Sequence, residues 1–210
     1  MFSIDNYEMR VLKNDIYRSI LKAARSEFLN KGFKEASMRN ISQKADVGLS
    51  NIYNYFKNKD EIFEAIVKPA KDEMFTFITR QHTEEYIDFN KISPFGHQEE
   101  AMEYYINLIY KYKDEYHLLL YRSQGSSLDN FREALGNHIT KVSHNYMELE
   151  KKYNPEINKI SPFFIHVMSS WMVSILGEIV IHNLSKRKIR EFFREYFRFS
   201  FAGWRELTGI

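Results

Sequence analysis

The stretch ADVGLSNIYNYFKNKDEIF, Ala45–Phe63, decides how the rest of the chain is read. From Leu49 to Lys59 it holds Asn51, Tyr53, Asn54, Tyr55, Phe56, Lys57, Asn58 and Lys59, and no Asp or Glu. Ile52 and Phe56 stand four apart, the spacing of one helix face, and are read as core. Ser50, Asn51, Tyr53, Asn54 and Tyr55 are left around the remainder of a short helix. Amide, hydroxyl and ammonium tips without carboxylates suit a negatively charged neighbour, because a carboxylate there would repel it.

Working back from this stretch, Asp46-Val47-Gly48 is a short turn, and Ser37 stands where it can cap a preceding helix over MRNISQKA, with Met38, Ile41 and Ala45 inward. Before that, Ile16, Ile20, Ala24 and Phe28 mark one face of a longer helix over Asn14–Lys31, with Gly32 as its stop. Two short helices joined by a glycine-containing turn and propped by a longer one predict a helix-turn-helix, whose second helix enters the major groove. Hydroxyl and amide tips can then bond base edges or phosphate oxygens.

Working forward, Asn58 with Glu61 three residues on resembles a capping box that opens a fourth helix through Ile62, Phe63, Ile66 and Val67; Pro69 is expected to interrupt it. Helices are then expected over Ala70–Phe89, Gln98–Lys113, Asp114–Gln124, Leu128–Tyr153, Pro162–Leu184 and Ser185–Leu207, with KISPFG as a loop. Ser161-Pro162 and Ser185 supply start signals for the last two. The expected fold is all-α, about nine helices, divided into a head over 1–68 and a helical body over 69–210.

Composition agrees with this architecture. The chain has 210 residues, 17 Phe and 14 Tyr but only 8 Gly and 4 Pro, which suits long packed helices. It has no Cys and a net charge of +2. Residues 1–68 carry 12 Lys and Arg against 9 Asp and Glu, and the remainder 18 against 19, so the basic excess lies in the head. The lack of cysteine and of a basic-then-apolar leader predicts a cytoplasmic protein. Phe163–His182 comes nearest to a membrane span, but His166, Ser169, Ser170, Ser174 and Glu178 interrupt it, so a doubly buried helix and no membrane contact are expected.

Ile20–Val67 resembles the DNA-binding domain of the TetR/AcrR transcriptional regulators. The likeness lies in the A…F…KGF pattern of the first helix, the capped second helix and the run IYNYFKNKDEIF. The resemblance implies that Ser37 and Arg39 touch phosphate or bases from the second helix. It implies that Leu49, Ser50, Asn51 and Tyr53 face the groove, while Asn54, Tyr55 and Lys59 hold the DNA backbone. Double-stranded operator DNA is the implied partner. The sequence departs from the family at Gly48, Leu49, Ser50 and Asn54 or Tyr55, where the family commonly has Ser or Thr, Lys or another polar residue, Gly, and His. The operator therefore need not resemble a familiar one.

Nothing points to an enzyme. The seven histidines include no pair at i, i+4 with a catalytic Glu, and no glycine-rich phosphate loop is present, so catalytic residues, metal ligands and cofactors are not expected. In the body, Tyr105, Ile109, Tyr112, Tyr116, Leu120 and Tyr121 offer a wall of rings and hydroxyls that Trp171 closes, expected to hold a small, largely hydrophobic effector. The last two helices are expected to pair with their copies in a homodimer. The expectation as a whole is a repressor that the effector releases from a palindromic operator. The alternatives are a protein of the same fold whose body binds a protein partner, and a helical enzyme or metal-binding protein on that fold.

Overall fold

The computed structural model describes residues 2–84 and 96–209, and every described regular element is helical. Nine α-helices lie among these residues: α1 Phe2–Glu35, α2 Met38–Ala45, α3 Leu49–Ile52, α4 Lys59–Arg80, α5 Gly96–Lys111, α6 Lys113–His117, α7 Phe131–Tyr153, α8 Pro162–Ile181 and α9 Lys186–Thr208. A single turn of π-helix, Leu118–Arg122, follows α6. The end of the helix expected over Ala70–Phe89, and most of the KISPFG loop, lie outside the described residues.

The chain divides into two compact units, Met1–Pro69 with His117–Phe131, and Ala70–Tyr116 with Arg132–Ile210. The core of the first unit is aromatic. Phe63 meets Phe28 and Phe33 edge-on, each with ring centroids 5.2 Å apart, and Ile20, Ile41, Ile52 and Ile62 are fully buried beside them. Gly32 sits at φ 76°, where the regular winding of α1 is interrupted. A side chain there would be strained, and its Cβ would meet the Arg122 carbonyl and side chain at 3.7 Å. The π-turn thus packs against the end of α1, with Leu118, Leu119 and Leu120 buried. The backbone N–H of Ser127 donates to the Asp60 carboxylate at 2.9 Å.

In the second unit Arg190 of α9 forms a two-point ion pair with Glu103 of α5, its second nitrogen 2.8 Å from the carboxylate. That guanidinium holds the Glu103 carboxyl below its ordinary range. Phe193, one turn on, is 1% exposed and abuts Tyr105.

Three expectations are corrected. α4 runs unbroken through Pro69. Proline removes one ladder bond, but the buried series Val67, Ala70, Met74 and Ile78 continues in helical register across it, and that packing outweighs the local loss. The helix expected over Asp114–Gln124 is instead α6 followed by the π-turn, and α7 begins at Phe131. Finally, α8 buries Ile165, Val173, Leu176 and Ile179 but leaves Phe163, Val167, Trp171 and Ile181 exposed within the chain. It is long and apolar enough to cross a membrane, yet its outer side also carries His166, Ser170, Ser174 and Glu178.

Replacing Phe63 by Ala removes a fully buried ring between two others and should cost the first unit about 3–5 kcal/mol. Urea unfolding followed by near-UV circular dichroism should show a lowered midpoint for that unit.

Candidate nucleic-acid interface and ligand cavity

The helix-turn-helix is positioned by a buried carboxylate. Glu27 of α1 is 0% exposed. It accepts from Asn40 Nδ2 at 2.9 Å and Lys44 Nζ at 2.6 Å, both on α2, with Lys31 Nζ at 3.3 Å. Burial alone would push this carboxyl up; the bonds from Lys44, Asn40 and Lys31 outweigh it and bring it from 4.5 down to about 2. Asn40 and Lys44 stand four apart, so both reach the same point on α1.

Local chemistry then sets the turn. Ser37 Oγ accepts from Asn40 N at 3.1 Å, as its expected cap role requires. Asp46 takes the left-handed conformation at φ 53° after α2. Ser42 Oγ donates to the Val47 carbonyl at 2.6 Å, and Ser19 Oγ to the Ala45 carbonyl at 2.9 Å. α3 is only four residues long, with Ile52 buried and Phe56, just beyond it, stacked on Tyr17 at 5.2 Å. This roll turns Leu49 and Tyr53 outward, 39% and 50% exposed, along with Ser50 and Asn54. Asn51 and Tyr55 are half-buried and Arg39 is exposed. Asn54 Nδ2 donates to Asn51 Oδ1 at 3.2 Å, which orients the Asn51 amide.

Lys59 behaves differently from the other expected contacts. Its ammonium turns inward and donates to the carbonyls of Phe33, Lys34 and Ala36 at 2.6, 3.3 and 2.8 Å, lying 4.4 Å from the Phe33 ring centre. It closes the C-terminal end of α1. Burial lowers its pKa against the opposing pull of Glu35. Its neighbour Lys57 is exposed on this face, as is Arg39, and spacing alone did not separate Lys57 from Lys59. The capping box forms in altered shape: Asn58 Oδ1 accepts from Glu61 N at 2.9 Å, while Glu61 reaches back to Lys57 N at 2.6 Å.

The second unit contains a cavity of about 240 Å³. Met74, Phe77 and Ile78 of α4, followed by Gln81 and His82, form one wall; Met102, Tyr105, Leu135, Met172 and Phe193 contribute to the others. Of the seven residues expected to line a cavity, Tyr105 does so. Ile109 is wholly buried core, and Tyr116 is buried with its hydroxyl donating to the Ala70 carbonyl at 3.2 Å. Tyr112 carries Lys111 over its ring at 4.5 Å. Leu120 and Tyr121 fall in the first unit, and Trp171 is 38% exposed, edge-on to Tyr196 and Phe199. The sequence signal for the actual wall was the four-residue spacing of Met74, Ile78 and His82 and of Phe193 and Phe197, which reads equally as core.

His82 is held in one tautomer. Its Nδ1 lies 2.7 Å from the Ile78 carbonyl, which only accepts, so Nδ1 carries the hydrogen; Nε2 then accepts from the Ser143 hydroxyl at 3.2 Å. Burial, opposed by the Ile78 contact, pulls the ring below its ordinary pKa and keeps it neutral. Burial likewise pushes the Tyr105 phenol up.

Residues 20–66 match the family described as bacterial regulatory proteins, tetR family. The chain is similar to an uncharacterized HTH-type transcriptional regulator of Haemophilus influenzae, 28% identical over 129 residues covering 61% of this chain and 64% of that protein. It is also similar to the uncharacterized HTH-type transcriptional regulator YhgD of Bacillus subtilis, 38% identical over 60 residues, 29% of this chain and 31% of that one. The chain thus spans less than two thirds of the length of either curated relative. Among solved structures, a transcriptional regulator from Aquifex aeolicus aligns with a TM-score of 0.58 at 17% identity, covering 88% of this chain and 98% of that one. NalD, the secondary repressor of the MexAB-OprM multidrug efflux pump in Pseudomonas aeruginosa, aligns with a TM-score of 0.57 at 14% identity, covering 88% and 96%. At these identities the structural likeness speaks for the fold.

Because the Glu27 pKa is depressed in the folded protein, its contribution is complete above pH 4.5 and is lost as pH falls towards about 2. The loss should reach on the order of 3 kcal/mol. The gap in urea midpoint of the first unit between wild type and Glu27→Gln should therefore be smaller at pH 3 than at pH 7; a constant gap between them would contradict the assignment.

Proposed function

We infer that this chain, which belongs to the tetR family of bacterial regulatory proteins, is a cytoplasmic, homodimeric repressor that a small, largely hydrophobic effector releases from a palindromic operator. The observation that carries the DNA-binding part is the outward face of the helix-turn-helix. Arg39, Leu49, Ser50, Tyr53, Asn54 and Lys57 are exposed there, none of them acidic. In this reading Leu49, Ser50, Asn51 and Tyr53 meet base edges, and Ser37, Arg39, Asn54, Tyr55 and Lys57 meet the DNA backbone. Lys59 acts by closing the end of α1 and leaves phosphate contact to its neighbour.

The dimer reading rests on the apolar side of α8 and α9 that the single chain leaves uncovered: Phe163, Val167 and Trp171 with Phe199 and Leu207. Phe193, buried against Tyr105, belongs to the chain's own interior and not to this surface. A two-fold pair of heads asks for half-sites about one helical turn apart, roughly 34–36 Å. Repression is the simplest sign for such a dimer, since occupancy of the operator suffices to exclude other proteins from it. NalD, of the same fold, is described as a repressor.

The cavity favours a small effector over a protein partner for the second unit. α4 belongs to both units: Asp60 in its first turn binds Ser127, and Met74, Phe77 and Ile78 nearer its end stand in the cavity wall. An effector that favours one placement of those last turns shifts the population of head arrangements.

Selection of bound genomic fragments should return a palindromic site. On that site Asn51→Ala should relax base preference at one position per half-site, by about 1–3 kcal/mol, while Arg39→Ala should weaken all sequences and lower the salt slope by about one contact. Lys59→Ala should lower thermal stability without a slope change of its own. If Asn51→Ala and Arg39→Ala both titrate like wild type, the interface is misplaced. Sedimentation should give a dimer for wild type at micromolar concentration and monomers for Trp171→Glu or Phe199→Glu; a wild-type monomer would remove the dimer.

A further inference from the structure

We propose that the cavity of the second unit takes an uncharged molecule of roughly ten non-hydrogen atoms, mostly apolar with one hydroxyl or carbonyl group, and rejects acids and amines of the same size. This rests on the effector reading above and narrows it. The size follows from scale: a 150 Å³ apolar cavity holds benzene, and this one measures about 240 Å³.

The charge selection follows from the wall. None of the described lining residues is Asp, Glu, Lys or Arg. A carboxylate or an ammonium entering the cavity would lose its hydration and find no opposite charge, which is the costliest way to bury an ion. Among the described lining residues, His82 alone can become a cation. Its two nitrogens are already used by the Ile78 carbonyl and the Ser143 hydroxyl in the neutral form, and burial keeps it in that form near neutral pH.

What remains for recognition is neutral. Gln81, adjacent to His82, offers an amide donor and acceptor, and the Tyr105 hydroxyl makes no hydrogen bond to another described residue. One or two such groups in an apolar wall suit a ligand with a single polar end. Met74, Met102 and Met172 give the rest of the wall unbranched, adaptable side chains, so the apolar portion can be a chain or a ring.

The test is calorimetric titration of the full-length protein at pH 7.5 with three matched probes, 1-nonanol, nonanoate and nonylammonium, each below its aggregation concentration. Nonanol should bind at one site per chain and the two ions at least tenfold more weakly. Ala101→Phe, which fills the cavity from α5, should weaken nonanol at least tenfold. Ile139→Phe serves the same purpose from α7 if the first variant does not fold. Nonanoate or nonylammonium binding as tightly as nonanol, and lost in the filled variant, would overturn the charge selection while leaving the cavity as the effector site. Failure of all three probes, or nonanol binding that survives a folded filled variant, would overturn both.

Discussion

The presentation of the DNA-facing helix depends on one buried carboxylate. Apolar contact between α1 and α2 is non-directional and would tolerate some roll of the shorter helix. The bonds from Asn40 and Lys44 to Glu27 do not, because both donors must point at the same two oxygens. Three residues separate α2 from α3, in a turn fixed by the left-handed Asp46. The direction in which Leu49 and Tyr53 point is therefore inherited from Glu27. An ion so placed is costly without partners, so the arrangement tolerates little substitution at either end.

Around the cavity of the second unit the deciding constraint is the absence of Asp, Glu, Lys and Arg among the described lining residues. The same Phe, Met and Leu residues that close a core elsewhere here surround a space, and only the residues facing it distinguish the two. Gln81 and His82 follow directly on Arg80, the end of α4, where the chain leaves the helix and its polar side chains come within reach of the cavity. Polar character thus enters the wall at a helix end, while the apolar walls come from helix interiors.

The head was legible in the sequence because its signals are local. Ser37 caps what it precedes, Asn58 does the same, and Ile52 and Phe56 fall inward as their spacing requires. Lys59 was not legible, since sequence does not say whether a long side chain turns to solvent or back onto carbonyls 23 to 26 residues earlier. The cavity was legible only as aromatic richness. Tyr112, Tyr116 and Tyr121 were as plausible as Tyr105 until packing placed Tyr116 against the Ala70 carbonyl and Tyr121 in the other unit. Pro69 misled for the opposite reason: a strong local rule yielded to a buried helix face that continues on both sides of it.

The first unit is not contiguous in sequence. Arg122 packs at Gly32, and the backbone of Ser127 bonds to Asp60, so residues about ninety and sixty-seven positions apart complete the same unit. A chain emerging from a ribosome cannot finish this unit when residue 69 appears; it must wait until residues near 131 are free, with Ala70–Tyr116 of the second unit already made. Contacts so distant in sequence slow folding, and a chain cut after α4 would leave the Gly32 surface and the Asp60 carboxylate without the segment that covers them.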